Sequence, residues 1–210
     1  AIAALLVAWD HLFNVWPQRN GIELHAVGFV ERWVFAPLAL MQHGGAFAVA
    51  LFFMVSGFII VAVGVRESGR TFAIRRALRI YPPLWVSCIL LLVVFPLAIA
   101  ATGSADLLNY EIAKVIAKDD PWPSIALALS LANYLVGTPA VNGVAWTLVI
   151  EVLFYLCVLA LLPLLRARPR VAIGVAFGAL GVLHIVAKSH WVVFLLALLA
   201  YNAMLYIGLR

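Results

Sequence analysis

Residues 45–65 and 80–101 form two runs that contain no Asp, Glu, Lys, Arg or His. Each run is about as long as the roughly 20 apolar residues that a helix needs to cross the hydrocarbon core of a bilayer. In lipid the backbone of such a segment must satisfy its own polar groups, which a helix does internally. The whole chain is biased the same way: of its 210 residues 66% are hydrophobic and 11% charged. That leaves too little polar surface to cover a soluble globule of this size. The predicted fold class is therefore all-α, a polytopic transmembrane helical bundle.

The pattern predicts six spans, at residues 1–16, 45–65, 80–101, 144–165, 171–187 and 191–209. A further apolar stretch, residues 124–136, is too short to cross and is predicted to be re-entrant or interfacial. Pro17, Gly103, Pro121, Pro123, Pro139 and Pro169 fall in the connections, as helix breakers should. No connection is large enough for a soluble domain, so residues 1–210 read as one membrane domain. The first run has no basic segment or small-residue cleavage site of a signal peptide. It is also short for a span, which leads us to expect a chain truncated at its N-terminus. Cys88 and Cys157 both lie in apolar stretches, which leaves no disulfide framework to expect.

Arginine sets the expected orientation. Residues 66–79 carry Arg66, Arg70, Arg75, Arg76 and Arg79 against Glu67, and residues 166–170 carry Arg166, Arg168 and Arg170 with no acid. Both segments belong in the cytoplasm by the positive-inside rule. Residues 102–123, with Asp106, Glu111, Asp119 and Asp120 against Lys114 and Lys118, suit the outer side. An even number of crossings must then separate the spans at 80–101 and 144–165, and residues 124–136 alone cannot supply two. By a rise of about 1.5 Å per residue, His11 and Glu151 each lie roughly 8–10 Å from the outer end of their helices. Arg76 and Arg79 fall at the opposite, cytoplasmic end, where i, i+3 spacing puts both on one helix face.

Titratable groups at bilayer depth are costly and tend to line a protein-walled or wet cavity, which makes His11, Arg76, Arg79 and Glu151 candidate functional residues. A neutral imidazole suits proton removal from a hydroxyl, because its ordinary pKa lies near working pH. Arginine forks bind phosphate oxygens bidentately. Asp10 adjoins His11 in sequence, but neighbours on a helix point apart, so a carboxylate from another helix is the better orienting partner.

These residues sit in four ordered motifs: AALLVAWDH at residues 3–11, LFFMVSGFII at 51–60, RRALRIYPPLW at 75–85 and WTLVIEVLFYL at 146–156. In order and spacing they resemble the integral-membrane acyltransferase family three, whose members place acetyl or other short acyl groups on bacterial surface glycans. The resemblance implies an integral-membrane O-acyltransferase of the bacterial inner membrane, multi-pass. It would move an acyl group, acetyl first among the candidates, from cytoplasmic acyl-coenzyme A to a hydroxyl of a glycan or glycolipid. It implies His11 and Glu151 as catalytic residues, Glu151 holding the imidazole tautomer as the third member of a triad does. It assigns Arg76 and Arg79 to the phosphates of acyl-CoA. The implied partners are acyl-CoA, the acceptor glycan and the lipid bilayer, with no nucleic acid, no metal and no permanently bound cofactor. Two departures stand out. Ala50 occupies a place where family members often carry a polar residue, and the family is longer, with about ten spans, so a C-terminal part of the domain would be missing.

Each residue also has a plainer reading. His11 fits a packing histidine bonded to a backbone carbonyl, and Arg76 and Arg79 fit topological anchors on lipid phosphate. Tyr81, Trp85 and Trp146 fit an interfacial aromatic belt. Ser56 with Gly57, and Gly174 with Gly178, fit close helix packing. The alternative function from another class is a transporter or flippase, which also needs intramembrane charge but often shows internal repeats, and none is visible here.

Overall fold

In the computed structural model the described residues are 2–15, 17, 21–22, 24–38, 45–103, 110–116, 118–186, 197, 201, 205 and 208. Among them every regular element is helical. We number the helices α1 (Ile2–Trp9), α2 (His25–Val30), α3 (Gly45–Gly64), α4 (Gly69–Thr102), α5 (Tyr110–Ile116), α6 (Trp122–Leu129), α7 (Asn133–Val136), α8 (Trp146–Ala167) and α9 (Pro169–Val186). Two of these continue into π-helical turns, α1 into Asp10–Val15 and α2 into Glu31–Phe35.

Among the described residues three helices are long and apolar enough to cross a membrane: Phe47–Gly64, Gly69–Ala101 and Trp146–Ala167. They answer to the predicted spans at 45–65, 80–101 and 144–165. The other three predicted spans are not established as crossings. The helical stretch 2–15 is about 20 Å long, shorter than the roughly 30 Å hydrocarbon core. Helix α9 contributes a shorter apolar stretch, Pro169–Ala179. The run 191–209 lies outside the described residues apart from isolated positions. Residues 124–136 are broken, as expected of a segment that does not cross: α6 stops at Leu129, Leu131 takes a positive φ of 64°, and α7 is only four residues long.

The chain divides into two compact units, Ala1–Ala62 with Arg168–Arg210, and Val63–Ala167. In the first, α3 buries Phe53, Ser56, Gly57 and Ile60 on one stripe, so Ser56 and Gly57 take the packing role. Also in this unit, Trp9 stacks on Phe13 with centroids 4.6 Å apart and meets Phe35 edge-on at 6.4 Å. Gly174 and Gly178 are exposed on α9, and a Cβ at either would meet nothing within 4 Å. Their small-residue spacing permits close packing but supplies no partner among the described residues.

The second unit is built on α4 and α8. Helix α4 starts about three turns before the predicted span. Ser68 is its N-cap, its Oγ accepting from the Thr71 N–H at 3.1 Å, and Gly103 closes it in the left-handed conformation at φ 67°. With 34 residues it is about 50 Å long, so it outreaches the hydrocarbon and carries its arginine-rich turns toward the interface. Its buried stripe runs Phe72, Arg76, Ile80, Leu84, Cys88, each four residues on. Pro82 and Pro83 lie inside the helix and remove the N–H groups that would reach the Leu78 and Arg79 carbonyls.

Helix α8 runs antiparallel to α4. At its C-terminal end the Arg166 guanidinium donates to the carbonyls of Gly64, at 3.2 Å, and of Val65 and Glu67. A cation there also complements the unsatisfied carbonyls at the end of α3. Glu67 pairs in turn with Arg75. Arg166, from the second arginine cluster, therefore meets the turn that leads into the first. At the other end, Asn142 Nδ2 donates to Ser87 Oγ at 3.1 Å and Trp85 Nε1 to the Leu129 carbonyl at 3.0 Å. The start of α8 is thus docked on the middle of α4.

This arrangement yields a topology test. In a background lacking Cys88 and Cys157, a cysteine at Gly69 should react with a membrane-impermeant maleimide only after the cytoplasmic face is opened. Labelling of intact cells from outside would overturn the orientation.

Candidate functional site

The docking of α8 on α4 gathers three of the second unit's side chains. Glu151, Ile150, Phe154, Tyr155, Val158 and Leu162 form the buried face of α8. Glu151 is only 4% exposed, a costly place for a carboxylate without a partner. Its partner is Tyr155, one turn on along the same face, whose hydroxyl donates to the Glu151 carboxylate. The Tyr155 ring meets Phe72 edge-on, centroids 6.2 Å apart at 78°. Above both rings lies the Arg76 guanidinium, its Cζ 5.4 Å from the Phe72 centroid and 5.7 Å from that of Tyr155. Cation–π contacts of this kind contribute about 0.5–2 kcal/mol each, more when desolvated.

Arg76 is buried, and its Nε has no hydrogen-bond partner. Leaving a buried donor unmade costs on the order of 1–3 kcal/mol. Beside it lies a cavity of about 160 Å³ between α4 and α8, lined by Phe72, Ala77, Tyr81, Tyr155 and Leu156 among others. The walls are otherwise apolar, and alanines at 73 and 77 leave the space. A buried fork with an unused donor beside a narrow apolar cavity is suited to an anionic group on a flexible, weakly polar arm.

The structure corrects the sequence-based depths. Glu151 was expected near the outer surface and the arginines at the opposite end, yet Glu151, Tyr155 and Arg76 form one cluster. The reason is the docking of α8: its start lies at the level of Trp85–Ser87, not at the outer end of α4, so depth counted along α8 from the surface is understated. Arg76 and Arg79 also part company. The buried stripe of α4 advances by four residues, which takes in Arg76 and leaves Arg79 exposed.

His11 belongs to the first unit. It is exposed on the π-helical continuation of α1, and π-turns occur disproportionately at functional sites. Tyr155 is the site residue that sequence reading passed over. Its signal was present, because a tyrosine four residues after a buried glutamate can reach it on a helix. Tyr81 faces the cavity, whereas Trp85 serves to tie the α6 end to α4.

A family model described as an acyltransferase domain matches residues 1–209. The chain belongs to this family, the integral-membrane acyltransferase family three. Nodulation protein 10 of Rhizobium leguminosarum bv. viciae is 32% identical over 145 residues, a match covering 63% of this chain and 38% of that relative. The chain thus aligns with well under half the length of the curated relative it matches. No solved structure matches.

Proposed function

We propose that the chain forms the donor-binding part of an integral-membrane O-acyltransferase in the bacterial inner membrane. It transfers an acyl group, acetyl in the simplest case, from cytoplasmic acyl-coenzyme A to a hydroxyl of a surface glycan or glycolipid. The observation that carries this reading is the buried Arg76 with an open donor beside the α4–α8 cavity. Family membership and the four motifs support it.

In the proposed reaction Arg76 takes a phosphate of the donor, Arg79 adds charge from the exposed side, and the pantetheine arm follows the apolar cavity. His11 is the general base: it takes the acceptor hydroxyl proton as that oxygen attacks the thioester carbonyl. The tetrahedral adduct collapses, the carbon–sulfur bond breaks, and the thiolate regains the proton. Glu151 is the second catalytic residue, its carboxylate held by the Tyr155 hydroxyl. Both assignments rest on the motifs, each residue being read within its own unit.

The test is an assay of acetyl-coenzyme A with the protein in vesicles that contain a bacterial glycolipid extract. Free coenzyme A should appear together with a glycolipid heavier by one acetyl group. Transport of a glycan without thiol release would instead identify the transporter or flippase.

A further inference from the structure

One aromatic side chain, Tyr155, connects Glu151 and Arg76. The Tyr155 hydroxyl fixes the carboxylate, and its ring, braced edge-on by Phe72, supports the guanidinium at 5.7 Å. Tyr155 also lines the cavity that Arg76 faces. We propose that Tyr155 is the positioning residue of the transfer reaction, holding the Glu151 carboxylate through its hydroxyl and the Arg76 guanidinium through its ring.

The inference rests on the function proposed above and divides Tyr155 into two separable halves. A phenylalanine keeps the ring and removes only the hydroxyl, so it should release the carboxylate and leave the arginine supported. A leucine removes both. A tyrosine that merely fills space would show no such division, because loss of packing moves stability and every activity together.

The experiment compares the wild-type chain with Tyr155→Phe and Tyr155→Leu in lipid nanodiscs. Free coenzyme A binding is measured by calorimetry, acetyl-coenzyme A turnover by thiol release with the glycolipid extract, and the melting temperature alongside. Tyr155→Phe should bind coenzyme A within about twofold of wild type, as expected when the cation–π support survives, while turnover falls by at least about tenfold. Tyr155→Leu should in addition weaken coenzyme A binding by about fivefold or more. Wild-type turnover in Tyr155→Phe overturns the proposal, and so does a parallel fall in binding, turnover and melting temperature. If the wild-type chain itself releases no thiol, the transfer reading fails. The calorimetric contrast between the two variants then still decides whether Tyr155 positions Arg76: equal coenzyme A affinity in Phe and Leu variants overturns that half.

Discussion

Arg76→Gln should raise the apparent KM for acyl-coenzyme A by about 10- to 100-fold, the range expected for one charge-assisted hydrogen bond. At saturating donor, kcat should stay within a few-fold of wild type, because the lost contact is to a phosphate far from the reacting carbon. Arg79→Gln should do much less. The sequence treats the two arginines alike, and it is burial that separates them: Arg76 sits over two aromatic rings beside the cavity with its buried Nε unpaired, whereas Arg79 is exposed and screened by solvent. Steady-state kinetics over a donor titration checks this, with membrane insertion scored by protease protection. Unchanged donor affinity in a correctly inserted Arg76→Gln would reduce both arginines to topological anchors. Equal effects at the two positions would remove the cavity from the donor site.

His11→Ala should abolish glycan acylation while abundance, insertion and coenzyme A binding stay near wild type. General base catalysis typically contributes about 10²- to 10⁴-fold, which sets the size of the loss. The structural reason to expect no folding defect is that His11 is exposed, and exposed substitutions usually move stability by about 0.5 kcal/mol or less. Glu151→Gln should show a smaller loss of the same kind, since glutamine still accepts from the Tyr155 hydroxyl but carries no charge. A packing histidine would behave in the opposite way, giving less folded protein with unchanged activity per molecule. More than about a tenth of wild-type specific activity in purified His11→Ala would take His11 out of the mechanism.

Much of the helical framework was legible in the sequence because it depends on local physics. Apolar runs of bilayer length have one low-cost backbone solution, and three of them, two of these uncharged and one carrying Glu151, became the long helices α3, α4 and α8. Residues 124–136 were too short to cross whatever their surroundings, and they break at Leu131. Arginine asymmetry grouped residues 66–79 with 166–170, and Arg166 does bind the 64–67 turn. The motifs likewise identified the residue types at positions 11, 76, 79 and 151 without any coordinate.

What only the tertiary structure decided was which of those residues meet. Hydropathy cannot place the start of α4: it begins the span at Ile80, because Arg70, Arg75, Arg76 and Arg79 precede it, whereas the helix itself begins at Gly69, where the Ser68 cap sets it. Nor can it tell where α8 docks along α4, since that register is chosen by Asn142 on Ser87 and by Trp85 on the Leu129 carbonyl, contacts between residues far apart in the chain. That register moves Glu151 from the outer layer expected for it together with His11 into one cluster with Arg76, with Tyr155 as the link. It also turns the i, i+3 arginine pair into one buried guanidinium and one exposed, because a helix packed on a four-residue stripe buries only what lies on the stripe. Composition and spacing determine which chemical groups a membrane helix carries; long-range packing, which no local pattern encodes, determines which of them share a cavity.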